Sequence, residues 1–412
     1  MANDRAAASR ETIMRAARES FFAHGYARAS IDAIAAAARM SKQTIYEFFP
    51  GKTELFDAVV RATIARGRET VGSVDIDRSD PAGTLRRFAM RLFDRFVEAE
   101  NLGLFRANIV ATRELPELAA DLHAQRLAAN EPLGRFVEAL AADGVLRPCD
   151  PMRAGIRLGG LVAEGSRYFL GSTPPRGAAR KALVEANVAL FLHGYRALAD
   201  TAAHPHEFAK PAIEGRAALR LSEARIAALL DAATAEFLAR GYVGAGLDRI
   251  ARAAGVSKTT IHRQFVSKEG LFRYIVLSKI HQIGTAIVTA AESLQVEEAV
   301  AALARSLLDA HLIPEMIAFH HLMIEEADHF PDLTRRLYEA QIAAALHALQ
   351  SVLVAHGWPA PGDAAARAFH TLATFGVRYL TAAQFPDAAQ RDVLSAEAAR
   401  IFLFGLARPS EG

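Results

Sequence analysis

The sequence predicts an all-α chain made of two tandem copies of one helical unit, and three observations lead there. Alanine is abundant and most stretches carry helix formers rather than runs of Val, Ile and Thr, a balance that costs little side-chain entropy in a helix and argues against a large sheet. The chain repeats itself at a fixed offset. Within each copy, apolar residues recur at helical spacing between hydroxyl caps and glycine stops.

Sliding the sequence by 216 positions aligns Arg15–Phe56 with Asp231–Phe272 without a gap, and 20 of those 42 positions are identical. They include Gly25-Tyr26 with Gly241-Tyr242, Ile34-Ala35 with Ile250-Ala251, Ser41-Lys42 with Ser257-Lys258, and Leu55-Phe56 with Leu271-Phe272. Later stretches echo one another more faintly: residues 105–118 parallel residues 319–333 once a one-residue gap is allowed. Gly144 and Gly357 each end a helix before a Pro-containing turn and a final helical pair. The organisation expected is a helix-turn-helix domain over 1–61, a helical effector domain over 62–200, and a linker over 201–221 containing Pro205, Pro211 and Gly215. A second helix-turn-helix domain follows over 222–279 and a second helical effector domain over 280–412.

Each copy opens with three short helices and two tight turns. In the first, Ile13, Ala17 and Phe21 share a helix face that stops at Gly25, where glycine takes left-handed geometry cheaply. Ser30 caps a second helix carrying Ile31 and Ile34, a turn follows at 38–40, and Ser41 caps a short helix over Lys42–Phe49. Gly51-Lys52 then opens a fourth helix through Leu55, Phe56 and Val59. The second copy repeats the plan around Gly241, Gly255 and Ser257. Two helices joined by such a turn form a helix-turn-helix, whose second helix enters the DNA major groove.

Net charge is only +2, but residues 1–61 carry +2 and residues 216–279 carry +6, which leaves −6 elsewhere. Positive charge is concentrated at the two predicted readers, the second above all. A single cysteine, Cys149, excludes an internal disulfide or a cysteine-based zinc cage. No signal-peptide core or membrane-spanning stretch is present, so a cytoplasmic protein with no membrane partner is expected.

The pattern of a helix, Gly-Tyr, a hydroxyl cap, Ile/Leu-x-x-Ile-Ala, Ser-Lys-x-Thr-Ile-aromatic and Phe-x-x-Lys-x-x-Leu-Phe resembles the DNA-binding domain of TetR/AcrR-type repressors. It covers residues 11–60 and 224–276. The resemblance implies a ligand-responsive transcriptional regulator whose C-terminal domain binds an inducer and dimerises through its last two helices. With both units in one chain, intramolecular pairing and a single-chain pseudo-dimer on an imperfect palindrome are expected, because tethering favours internal partners.

The candidate DNA contacts in the first copy are Ser41, Lys42, Gln43, Thr44, Tyr46 and Lys52. Ser41 and Lys42 open the recognition helix, where free N–H groups favour a phosphate. Gln43 and Thr44 follow on its first turn, within reach of base edges, and Tyr46 and Lys52 suit the backbone. The second copy offers Ser257, Lys258, Thr259, Thr260, His262 and Lys268. Ile45, Phe49, Ile261 and Phe265 read as core. The copies also differ: Arg39 stands where the second has Gly255, Glu47 where it has Arg263, Pro50 where it has Val266, and Ser30 where it has Gly246. The readers are therefore expected to prefer different bases.

In the effector domains, Phe93, Phe96, Phe105 and Tyr168, with Arg106 on the same apolar segment, are candidate ligand contacts in the first copy. Phe319, His320, Phe375 and Tyr379 are candidates in the second. A rival reading sets His321 and Glu325 at i, i+4 near Glu326, Asp328 and His329 as a metal-sensing site, but the first copy has no second set at that spacing, so no metal or cofactor is expected. A DNA-bridging architectural protein without an inducer is the other alternative. No phosphate loop, nucleophile elbow or zinc-protease motif is present, and no catalytic residues are assigned.

Overall fold

The computed structural model describes residues 2–72, 74–114, 116–128, 130–194, 222–285, 295–376, 378–382 and 384–406, and contains no β-strand among them. The predicted linker, 201–221, lies outside the described residues. The first copy runs α1 (Ala2–Arg28), α2 (Ile31–Ala38), α3 (Lys42–Phe48), α4 (Lys52–Gly72), α5 (Pro81–Val97), α6 (Ala99–Glu114), α7 (Pro116–Ala128), α8 (Glu131–Ala142), α9 (Pro151–Val162) and α10 (Gly177–His193). The second runs α11 (Glu223–Gly244), α12 (Leu247–Ala253), α13 (Lys258–Phe265), α14 (Lys268–Thr285), α15 (Val296–His311), α16 (Pro314–Glu325), α17 (Pro331–Ala355), α18 (Asp363–Thr374) and α19 (Ala388–Phe404).

Two compact units form, and they cross the copy boundary. The first holds Met1–Tyr168, Thr173–Ala199 and Thr371–Gly412; the second holds Phe169–Ser172 and Asp200–His370. The end of the second copy thus packs with the first. The boundaries expected at 61 and 279 fall inside α4 and α14, which run unbroken from reader to effector region.

In the first unit, α1 kinks at Gly25 (φ 74°) and sets Phe21 edge-on to Phe56 at 5.1 Å, with Tyr26 5.0 Å from Phe56. One continuous core joins these rings to Ile34, Ile45 and Phe49 and extends to Leu104 and Ala107 on α6. Helix α6 can lie against α1 because residue 103 is glycine; a Cβ there would overlap Phe22. Asp80 and Asp150 cap α5 and α9 by accepting from the Gly83 and Arg153 N–H groups, each followed by a proline at the first turn.

The remainder of this unit is built by α9, α10 and the segment 371–406. Residues 160–165 (GLVAEG) and 371–376 (TLATFG) correspond at an offset of 211, as do 191–194 (FLHG) and 402–405 (FLFG). Corresponding positions meet. Gly160 faces Thr371, and the backbones of Gly165 and Gly376 touch, both in left-handed geometry. A Cβ on Gly194 would overlap the Leu403 carbonyl, and one on Gly405 would overlap that of Leu192. Such reciprocal contacts are the mark of a two-fold interface. The glycines of this stretch divide: Gly160 and Gly165 face 371–376, whereas Gly155 lies against Gly134 and Gly159 against Asn130. Helix α9 ends at Val162, where Glu164 and Gly165 turn left-handed.

In the second unit the reader repeats the geometry of the first: Phe237 to Phe272 5.1 Å, Tyr242 to Phe272 5.0 Å. Phe330 closes this cluster at 4.8 Å from Phe272 and 4.9 Å from Tyr242. A bidentate Arg273–Asp332 pair, 2.7 and 3.1 Å, ties α14 to the start of α17. His311 and His320 are buried among these helices and His370 is half-buried there, each held below the ordinary histidine value, first by desolvation, and His370 at about 4.

A histidine that resists protonation only when folded makes folding weaker as pH falls from its unfolded value towards its folded one. The second unit is therefore expected to lose stability as pH drops below about 6.5 and on towards 4, by about 3 kcal/mol from His370 alone. Denaturation of the full chain at stepped pH measures this, and His370→Asn should flatten the dependence.

Candidate DNA-binding interface and effector cavity

The two recognition helices are closed by the same cap. Ser41 Oγ accepts from the Thr44 N–H at 3.0 Å and lies 2.8 Å from the Thr44 hydroxyl; Ser257 and Thr260 repeat this at 3.1 and 2.9 Å. Ile45, Phe49, Ile261 and Phe265 are buried beneath. Gln43, Tyr46 and Glu47 on α3, and Thr259, His262 and Arg263 on α13, are exposed. The division into core and outward residues that helical spacing predicted is therefore present in both copies.

Differences between the copies have local compensations. Arg39 takes the left-handed geometry (φ 54°) that Gly255 takes at φ 63°, and the Met40 N–H still closes the turn on the Ala35 carbonyl at 3.0 Å, a conformation costing a non-glycine residue on the order of 1 kcal/mol. Where Ser30 accepts from the Ala33 N–H in the first copy, Gly246 has no side chain to do so. Glu236 instead accepts from the Gly246 N–H at 3.1 Å and from Arg249 Nε at 2.6 Å. Val266 occupies φ 64° in the turn after α13, and the His262 ring lies 3.1 Å from its carbonyl. That turn needs Gly270, since a Cβ there would overlap the Phe265 carbonyl oxygen.

The lysines are not idle cations. Lys42 Nζ lies 2.7 Å from Asp32 and Lys258 Nζ 3.1 Å from Asp248, one pair in each copy. The hydrogen bond to Asp32 raises the Lys42 ammonium above its ordinary value. Lys52 sits over the Tyr26 ring at 4.5 Å and Lys268 over Tyr242 at 4.7 Å, where Lys268 also donates to the Val243 carbonyl at 3.3 Å. Partial burial lowers the Lys268 ammonium although Glu326 opposes it.

A cavity of about 190 Å³ lies in the first unit. Phe96 and Phe105 line it, and so do Phe375, Arg95, His123 and Arg378. Phe375 was expected in a pocket of the second copy; the structure puts it in the first unit, with Tyr379 beside it at 6.0 Å. Phe93 and Tyr168 pack edge to face in the core at 6.0 Å, and neither they nor Arg106 line the cavity. In the second unit Phe319 is buried and His320 is held by the Met316 carbonyl (2.8 Å) and the Gln341 amide (2.7 Å). Among the described residues no three His, Cys, Asp or Glu side chains gather to hold a metal, and no helix is long and apolar enough to cross a membrane.

Composition gave no hint of the role of Arg157. It is fully buried, donates to the Leu372 carbonyl at 2.7 Å and the Leu394 carbonyl at 2.6 Å, and stacks on Phe375 at 4.1 Å. Burial pulls it down to about 10, and Glu397 at 3.5 Å opposes that fall. Arg153 grips the same carboxylate at 2.7 and 3.1 Å. The single arginine in the apolar run IRLGGLV was the available signal.

Two capped recognition helices, each on its own helical core and joined by an unbroken helix to an all-helical region, define a DNA-binding transcription regulator. Comparison with known proteins agrees. The model for bacterial regulatory proteins of the tetR family matches residues 13–59 and 229–275, and the model for the C-terminal domain of AefR-like transcriptional repressors matches 83–197 and 298–405. The HTH-type transcriptional repressor NicS of Pseudomonas putida is 27% identical over 142 residues, 34% of this chain and 60% of NicS. An HTH-type transcriptional repressor of Streptomyces coelicolor is 39% identical over 80 residues, 19% of this chain and 40% of that protein. The chain thus spans under two thirds of the length of these curated relatives. A solved TetR-family regulator from Mesorhizobium loti is 27% identical, covering 45% of this chain and 95% of its own, with a TM-score of 0.40. The chain belongs to the TetR family, as a tandem fusion of two family units.

Asp32 and Asp248 hold the ammonium groups of Lys42 and Lys258, the candidate phosphate contacts, and would compete with a DNA backbone for them. The double variant Asp32→Asn, Asp248→Asn is expected to bind duplex DNA more tightly at low salt, with a gain that fades as salt rises. Filter binding across a salt series reads this; unchanged affinity would mean that these lysines do not meet the backbone.

Proposed function

We propose that the chain is a cytoplasmic, ligand-responsive transcriptional repressor that acts as a single-chain pseudo-dimer on an asymmetric operator. The observation that carries this reading is the charge complementarity of the two-fold contact. Arg153 and Arg157 stand on α9, and their counter-carboxylate, Glu397, stands on α19. At the 211 offset the second copy has Ala364 and Ala368 in place of the arginines, and the first has Ala186 in place of the glutamate. Two first-copy ends brought together would put Ala186 where Glu397 stands and Glu164 where Phe375 stands, so the Arg153–Glu397 pair and the stacking of Arg157 on Phe375 would both be lost. Pairing of unlike ends is therefore favoured over a conventional homodimer.

The pairing would carry one reader from each copy to successive half-sites, about 34–36 Å apart on B-DNA. The exposed residues of the recognition helices differ, so the half-sites differ. Ligand response follows from the connection between cavity and reader. Ile64 of α4 and Leu104 of α6 both line the cavity, and Leu104 belongs to the core that holds α1 and α3. A ligand that fits one position of these helices better than another shifts the population of reader positions by its differential affinity.

The triple variant Gln43→Thr, Tyr46→His, Glu47→Arg gives both recognition helices the same outer residues at these positions. Selection from a random duplex library should return an asymmetric site for the unaltered chain and a more symmetric palindrome for the variant. A strictly symmetric site for the unaltered chain would overturn the reading, with each mismatched contact worth about 1–3 kcal/mol.

A further inference from the structure

We propose that the cavity of the first unit takes a one-ring aromatic carboxylate, held by Arg95 from the first copy and Arg378 from the second. This deepens the ligand-responsive reading above and rests on it. The charge of the lining points to an anion: Arg95, Arg378 and His123 face the space, and no aspartate or glutamate does. Arg378 is half-buried against the rings of Phe375 (5.4 Å) and Tyr379 (5.7 Å), its Nε is buried without a hydrogen-bond partner, and no carboxylate among the described residues pairs with it. Arg95 donates to the Thr63 carbonyl at 3.3 Å, and burial lowers its guanidinium although Glu98 and Glu100 oppose that fall. Two guanidiniums turned to one apolar space, with donors to spare, suit a carboxylate.

Size and walls choose the rest of the ligand. A dry apolar cavity of about 150 Å³ admits benzene, so 190 Å³ gives room for one ring with a small acidic substituent. Phe96, Phe105 and Phe375 supply aromatic faces and edges for a ring. His123 is braced by the Thr381 hydroxyl at 3.2 Å, so the segment 371–382 supplies a wall, a cation and a support. In sequence terms the site is shared: helices of the first copy make most of the cavity, and it is incomplete without the second.

Calorimetric titration of the full chain with benzoate, phenylacetate, hexanoate and neutral benzyl alcohol tests this. The aromatic acids should bind at least about tenfold more tightly than benzyl alcohol, the margin expected of charge-assisted hydrogen bonds. Arg378→Gln and Arg95→Gln should each remove that margin while leaving benzyl alcohol binding unchanged. Unaltered melting of these variants guards against misfolding, and Arg378→Lys should restore part of the preference. Equal binding of acid and alcohol, tighter binding of hexanoate than of either aromatic acid, no binding of either aromatic acid at about 10 mM, or an unchanged benzoate affinity in Arg378→Gln would each overturn the proposal. Operator affinity measured in parallel separates the two readings. Benzoate that binds through Arg378 without weakening operator binding supports the site and contradicts ligand response.

Discussion

Where α10 and α19 run past each other, two backbones come closer than any side chain would allow. Gly194 lies on the Leu403 carbonyl and Gly405 on that of Leu192, and both glycines have positive φ (80° and 66°). The first unit is organised around this crossing. It brings the 371–406 segment against α9, lets Arg157 satisfy the Leu372 and Leu394 carbonyls, and delivers Phe375 and Arg378 to the cavity wall. An arginine buried this deeply is tolerable only because its charge meets Glu397 and two carbonyls and its plane covers a ring. Lose the crossing, and the arginine is left unpaired and the cavity open.

The readers show the opposite balance of constraint. Their inner faces are nearly superimposable, with the aromatic distances of one copy reproduced in the other within 0.1 Å. Their outer faces are free to differ, because Gln43, Tyr46 and Glu47 or Thr259 and Arg263 are exposed and lie outside the core. Such an arrangement allows two recognition surfaces to diverge on one scaffold without loss of stability, since exposed substitutions away from caps and turns change stability little.

Much of this was legible in the sequence. The reader helices, their serine caps and the buried Ile45, Phe49, Ile261 and Phe265 follow from spacing and cap chemistry, because each rests on contacts only a few residues apart. The final helices were legible as pairs, but their limits were not. Glu164 and Phe375 take left-handed geometry without being glycine, so nothing marked the ends of α9 and α18. The Lys42–Asp32 and Lys258–Asp248 pairs and the substitution of Glu236 for a missing serine cap join residues ten apart through turns that set their approach. The shared cavity was least visible. Phe375 was recognisable as a candidate ligand contact, but its place in the first unit depends on a packing between residues more than 200 positions apart.

Native mass spectrometry of the chain on its selected duplex tests the pairing of unlike ends most directly. The account predicts one 44.5 kDa chain per operator, with both half-sites protected. Two chains per operator, each leaving one reader off the DNA, would contradict it.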